Sequence, residues 1–352
     1  MGSSRQDRDK KKAKWKDLLI SAGILAVGVA AALTYMQYQR KQEIAAQIAA
    51  RQEQTAVTSA QEEKQYADTI EYNGRTYRRN SYVKAILCMG IDRRHDFEGT
   101  NTTGFGGQAD ALMLIAQDTA RNQVKILAIP RDTMTEVTYT DIQGNEIGKN
   151  IDHLTMGFSF GDGQKKSCEY MQDAVSTFLF DMKIDHYLAM NMTAISILND
   201  TVGGVTVTVE TDGMEKTDPA FVKGATVRLE GSQAEKFVRF RDTKVDFSAM
   251  TRMSQQQQFV IQFEKAVAEA SKTNSNVVSD MFDAIQEDMY TDMNKAQYLK
   301  IALDTMQNQS IVSGDFETIQ GESKLGQLHD EFYPDMDQTK QTILDLFYRE
   351  EQ

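Results

Sequence analysis

The stretch KAILCMGIDRR, residues 84–94, decides the fold. Residues 84–89 form a short apolar run stopped by Gly90, a length that suits a buried strand better than a helix. The chain leaves that run directly into Asp92 and Arg94. Further strand-like runs follow at 111–116, 124–129, 186–191 and 205–209, with helical patterns between and after them at 168–181, 193–201, 232–238 and 252–271. Alternating strands and helices imply an α/β fold, a three-layer α/β/α sandwich around a central, mostly buried sheet. Gly203-Gly204 falls between a helix and a strand and reads as a helix stop with a tight turn. Helices are expected again near 277–286, 295–307 and 337–349, and 311–320 is partly strand-like. With no repeat and no glycine-rich linker after residue 80, residues 83–352 read as one domain.

The N-terminus is of another kind. Residues 1–17 hold seven basic residues against three aspartates, a surplus of +4, which leaves −16 on the rest of a chain at −12. So acidic a body excludes a general nucleic-acid binder, which needs a basic face to displace counterions. Residues 18–36, LLISAGILAVGVAAALTYM, are uncharged and long enough to cross a bilayer as a helix. The basic flank keeps the N-terminus in the cytoplasm and places the body outside it. A signal peptide cleaved near Ala30–Ala32 is the rival reading. The apolar run is longer than a usual signal core, and a polar helical stretch follows, which favours an uncleaved single-pass anchor. Residues 37–80 then read as a polar stalk ending in a hairpin at Asn73-Gly74. Cys88 and Cys168 read as two buried thiols, and the four histidines offer no i, i+4 metal pair.

The chemistry gathers where apolar runs end. Asp92 follows one strand and Asp110 precedes the next, so antiparallel pairing brings both carboxylates together beneath the 93–109 loop. Two close carboxylates need a cation, a shared proton or basic neighbours. Magnesium, or manganese in its place, held by both acids and by phosphate oxygens meets that need. Singly, either aspartate is as well explained by a local turn hydrogen bond. Arg131 follows Pro130, where the ladder must stop, and points into the crevice at the strand tip. Asp132 beside it reads as a cap for the following turn. Arg239 and Arg241 share a face if extended, and Arg252 and Gln256 share a helix face. A lone arginine is usually a rim partner of little worth. Several converging on strand ends make a pyrophosphate clamp.

In order, GIDRR, QAD, AIPRDT, TVGGV, VRFRD and RMSQQ resemble the LytR–CpsA–Psr family over roughly residues 83–270. The resemblance implies an apolar pocket for a polyprenyl tail, and transfer of a glycopolymer (teichoic acid or capsule-like) from an undecaprenyl-pyrophosphate carrier to peptidoglycan with magnesium present. By position it makes Asp92 and Asp110 the metal-associated acids, and Arg94, Arg131, Arg239, Arg241, Arg252, Gln256 and Gln108 the groups around the pyrophosphate, with Asp92, Arg94, Asp110 and Arg131 catalytic. Two positions depart from the family pattern. Gln108-Ala109-Asp110 stands where Arg-Ser-Asp is common, and Gln255 stands where a second arginine is usual. Those substitutions make a non-catalytic carrier-lipid binder a second reading, and a polyprenyl-pyrophosphate hydrolase, using water as nucleophile at the same site, is a third.

Overall fold

The computed structural model describes residues 66–94, 96–97, 99, 103–242, 248–306, 311–326 and 329–351. The expected membrane span and the stalk up to residue 65 lie outside them. Among the described residues, no helix is long and apolar enough to cross a membrane.

The strand expected from KAILCM is β3 (Val83–Ile91), and it lies near the middle of a six-stranded mixed sheet. Its companions are β4 (Ala109–Asp118), β5 (Gln123–Ala128), β8 (His186–Asn191), β11 (Met289–Thr291) and β12 (Phe316–Thr318). The spatial order is β11-β8-β3-β4-β5-β12. The β3–β8 and β5–β12 pairs are parallel and the others antiparallel. Both faces of β3 are covered, which is why it reads as a continuous apolar run instead of an alternating one. The helices are α1 (Met156–Ser159), α2 (Lys165–Phe178), α3 (Met192–Thr201), α4 (Ser232–Arg239), α5 (Ser248–Ser271), α6 (Val277–Ala284), α7 (Lys295–Met306) and α8 (Met336–Phe347). Ala85, Leu87 and Met89 pack with Met171 and Val175 of α2 and Ile343 and Phe347 of α8. Ile86 and Leu188 pack on the opposite face with Ala194 of α3 and Phe282 of α6. A separate core, including Val205, Val207, Phe221, Phe237 and Val267, ties α4 and α5 to the body.

Elements end where their own residues end them. Asn191 closes β8 and caps α3, its side chain accepting the Ala194 N–H at 3.0 Å. Asn73 and Gly74, at φ 50° and 73°, make the tight turn between β1 (Thr69–Tyr72) and β2 (Arg75–Arg79). That hairpin, grouped with the stalk on sequence, pairs with a C-terminal strand, β15 (Tyr348–Glu350), through Tyr348↔Arg79. The helix expected over 337–349 accordingly stops at Phe347. Pairing with β2 and burial of Tyr348, 6% exposed, outweigh helix propensity there.

Two further ladders lie outside the main sheet, and the first of them went unforeseen. β6 (Met134–Thr140) pairs with β7 (Glu146–His153), whose first six residues are all exposed and so carry no apolar pattern. The strand expected at 205–209 is β9 (Thr206–Thr208), and it pairs outside the central sheet with an unexpected three-residue partner, β10 (Thr226–Arg228). A third hairpin, β13 (Gly321–Leu325) with β14 (Asp330–Pro334), follows β12.

Candidate active site

Asp110 owes its position to an irregularity in the β3–β4 ladder. Gly90 pairs with Ala111 and Ile91 with Ala109, so Asp110 is the extra residue of a β-bulge. Strict alternation would put Asp110 on the face of Leu112 and Leu114, inside the α2–α8 core. The bulge shifts the parity, so Ala109 takes the core position and Asp110 opens into a crevice floored by Ala111, Met113, Ala128 and Ile129. Gly90 permits the close approach, since a Cβ there would lie 3.1 Å from the Ala111 Cβ.

Around Asp110 the expected groups converge. Arg131, just past β5, pairs through Nη1 with Asp110 Oδ1 and through Nε with Asp132 Oδ1 at 3.0 Å. Arg252, in the first turns of α5, donates to Asp110 Oδ2 at 3.2 Å and to the Asp110 carbonyl at 3.3 Å. Arg252 is 8% exposed, and its partner one turn later, Gln256, lines the same crevice. Burial lowers the Arg252 pKa and Asp110 opposes that effect, while the nearby Arg131 and Arg241 guanidiniums lower it further. The guanidinium nevertheless stays charged.

Asp92 anchors a second group. Its N–H donates to the Gln108 carbonyl at 2.9 Å, closing the base of the loop between the two strands. Its Oδ1 accepts from Arg239 Nη2 at 2.8 Å, and Glu235 Oε1 accepts from Arg239 Nη1 at 2.9 Å and Arg94 Nη2 at 2.7 Å. Arg239 ends α4, and Phe240 leaves the helix at φ −54°, ψ 126°. Arg239 and Arg241 therefore flank a helix end and go to different carboxylates, instead of sharing one extended face. Arg241 donates through Nε to Ser248 Oγ at 2.8 Å and through Nη2 to Asp330 Oδ2 at 3.2 Å.

Two glutamines point elsewhere. Gln108 Nε2 contacts Met156 Sδ at 3.4 Å. Gln255 is buried against Thr211 Oγ1, 3.1 Å away, and Met214, so it faces the core beneath α5. The residues that sequence reading passed over are the acids and clamps that hold the arginines. Glu235 lies four before Arg239 on a helix, a spacing that could have found it. Asp330 is 89 residues beyond Arg241 and gave no signal. Arg93 braces the loop, its Nη1 on the Gly106 and Gly163 carbonyls at 3.5 and 3.4 Å and its Nη2 on the Asp96 carbonyl at 2.5 Å.

Five arginines (94, 131, 239, 241, 252) thus meet five carboxylates (92, 110, 132, 235, 330), a balance of 5 − 5 = 0. Pyrophosphate entering a neutral site brings uncompensated negative charge. Asp92 and Asp110 each offer the kind of oxygen donor that a hard divalent cation takes. Among the described residues, no three His, Cys, Asp or Glu side chains gather to hold a metal ion.

Comparison with known proteins gives the same relationship from three sides. The model of the LytR_cpsA_psr family matches residues 35–344. The polyisoprenyl-teichoic acid–peptidoglycan teichoic acid transferase TagU of Bacillus cereus (strain AH820) is 32% identical over 217 residues, 60% of this chain and 61% of that protein. TagU of Halalkalibacterium halodurans is 28% identical over 59% of this chain and 60% of its own length. The match thus spans about three fifths of these curated relatives. Among solved structures, B. subtilis TagV superposes with a TM-score of 0.57 at 23% identity, covering 76% of this chain and 97% of that one. A structure described as TagT bound to LI-WTA gives 0.57 at 18% identity, covering 80% and 94%. At such identities the likeness establishes the mixed α/β fold.

Proposed function

The chain belongs to the LytR–CpsA–Psr family, and on that premise we propose that it is a membrane-anchored phosphotransferase moving a glycopolymer from a polyprenyl-pyrophosphate carrier to peptidoglycan. The relatives named as teichoic acid transferases support the reaction class. The observation that carries the reading is the bulged Asp110, held between Arg131 and Arg252 at the mouth of an apolar crevice. The guanidiniums at its mouth are of the kind that bind pyrophosphate, and its floor is apolar. Its apolar floor at Met113 adjoins the half-buried Ile115, Val260, Ile261 and Phe316, a surface suited to the polyprenyl tail.

In the proposed reaction an acceptor hydroxyl attacks the phosphorus that carries the glycan. A new P–O bond forms as the bridging P–O bond breaks, the hydroxyl proton passes to the departing phosphate or to water, and polyprenyl phosphate leaves. Arg131 and Arg252 meet the negative charge growing on the pyrophosphate, and their carboxylate partners hold them in place beforehand. Arg94 and Arg239, gathered with Glu235 and Asp92, and Arg241, held by Asp330 of β14, would add positive charge beside it. Asp92 and Asp110 would hold magnesium, whose role is to neutralise phosphate oxygens. Residues 18–36 would anchor the body at the outer face of the membrane, where a carrier lipid presents its headgroup.

The test is to incubate the detergent-solubilised full chain with magnesium, a polyprenyl-pyrophosphate-linked saccharide and a peptidoglycan fragment. Polyprenyl monophosphate released together with coupled saccharide, both lost in Asp110→Asn, is the expected result. Release without coupling would assign hydrolysis instead. Donor binding with no release, under conditions where a related transferase turns over, would assign a carrier binder.

A further inference from the structure

We propose that the C-terminal hairpin β13–β14 is part of the donor site, with Asp330 as the positioning residue that aims Arg241 at the pyrophosphate; this inference rests on the reading above. Asp330 opens β14 and takes Arg241 Nη2 on Oδ2 at 3.2 Å, with both side chains mostly buried. Ser248 Oγ accepts from Nε of the same guanidinium at 2.8 Å. One edge of the Arg241 fork is therefore committed to the protein, which fixes the plane of the group.

Asp330 is itself held by the end of β7. Its carbonyl meets His153 Nε2 at 3.0 Å, and His153 Nδ1 meets Asp152 Oδ1 at 3.0 Å. Two residues on, the Phe332 N–H donates to the Asp132 carbonyl at 2.8 Å, and Phe332 bridges Thr133. Phe332 is 4% exposed, so the hairpin is seated by a buried ring. The backbone that carries Arg131 and Asp132 thus also carries the strand that holds Arg241. A partly buried ion pair in isolation would add little stability. Here it does something more specific. Arg241 lies near enough to Arg252 to disfavour its charge, and like charges in a confined crevice push apart. Asp330 offsets that repulsion and keeps Arg241 beside its neighbours before any phosphate arrives.

A double-mutant cycle on the full chain in detergent tests this, with farnesyl pyrophosphate and magnesium as the binding pair and saccharide-donor turnover as a second readout. Asp330→Ala and Arg241→Ala should each weaken farnesyl pyrophosphate by about tenfold, the scale of one charge-assisted hydrogen bond. The double variant should be no weaker than either single one, because the two residues act as a unit. Donor KM should rise more than kcat falls, and Asp330→Asn, which keeps an acceptor oxygen, should recover part of the affinity. Wild-type affinity in Asp330→Ala, or losses that add in full, would overturn the proposal. So would unfolding of both Asp330→Ala and Asp330→Asn, which would assign the residue to the core. If the wild-type chain neither binds farnesyl pyrophosphate nor turns over the saccharide donor, the phosphotransferase reading itself falls. Binding that is indifferent to Asp330 removes only the inference.

Discussion

Arg252 gives Asp110 two hydrogen bonds, one to the carboxylate and one to the carbonyl, from a single planar group. A lysine keeps the charge but has neither the fork nor the reach to serve both acceptors. Arg252→Lys should therefore cut kcat/KM for the donor by roughly tenfold, with Asp110 still paired to Arg131. Arg252→Ala should cost about a hundredfold or more, because a carboxylate then loses one of its two cationic partners in a water-poor site. Steady-state kinetics on purified variants would show the gap; equal losses for lysine and alanine would mean the fork is irrelevant. At this scale the arginines were legible because each stands at the end of an apolar run or on a helix face with another site residue. Their counter-charges were less so. Glu235 was within reach of a helix-spacing argument, whereas Asp330 comes from a distant hairpin. The bulge escaped as well, since nothing in QADALM announces an extra residue until the Gly90–Ala111 pairing is seen.

Elements buried on both sides or amphipathic along their length declared themselves, and exposed ones did not. β3, β8 and α3 to α7 fall within a few residues of their expected bounds, while β7, exposed along most of its length, offered no apolar period. The long helix α5 hides one local conflict that pattern reading also missed. Glu264 sits on it beside Ile311, with a buried Oε2 that has no partner among the described residues. Burial raises its carboxyl pKa, opposed by Lys265 and by a backbone hydrogen bond at Ile311. A carboxyl raised above its unfolded value of about 4.3 favours the fold fully below that pH, and loses this contribution as pH climbs through the folded value. Glu264→Gln should therefore melt higher than wild type at pH 7.5, by on the order of 2 °C, with the gap closing near pH 4. Calorimetry at both pH values checks the sign. A less stable variant at pH 7.5 would show that the ionised form is well accommodated.

At the scale of the whole body, the two ends of the described chain are joined, and that join lies away from the proposed chemistry. β15 pairs with β2, Tyr348 is buried with its hydroxyl donating to the Ala67 carbonyl at 3.1 Å, and Arg75 meets Glu350 at 2.9 Å. The exposed ion pair adds little by itself. The buried tyrosine ring and the ladder supply most of the hold, with the ring worth about 2 kcal/mol. The seam also braces α8, which ends at Phe347, and Phe347 packs in the core beneath β3. Deleting residues 348–352 should lower Tm by on the order of 5 °C. It should also free the 69–79 hairpin, so that trypsin cuts first after Arg75, Arg78 or Arg79. The Asp110–Arg131–Arg252 group is built from β4, the turn after β5 and α5, none of which pairs with β15. Donor turnover at a temperature where the truncated chain remains folded should thus stay within about twofold of wild type, since a change touching no shared partner leaves a distant site additive. Limited proteolysis read beside turnover separates the cases. Early cleavage with turnover intact fits a purely structural seam, while turnover lost at a temperature well below melting would tie the joined ends to the site.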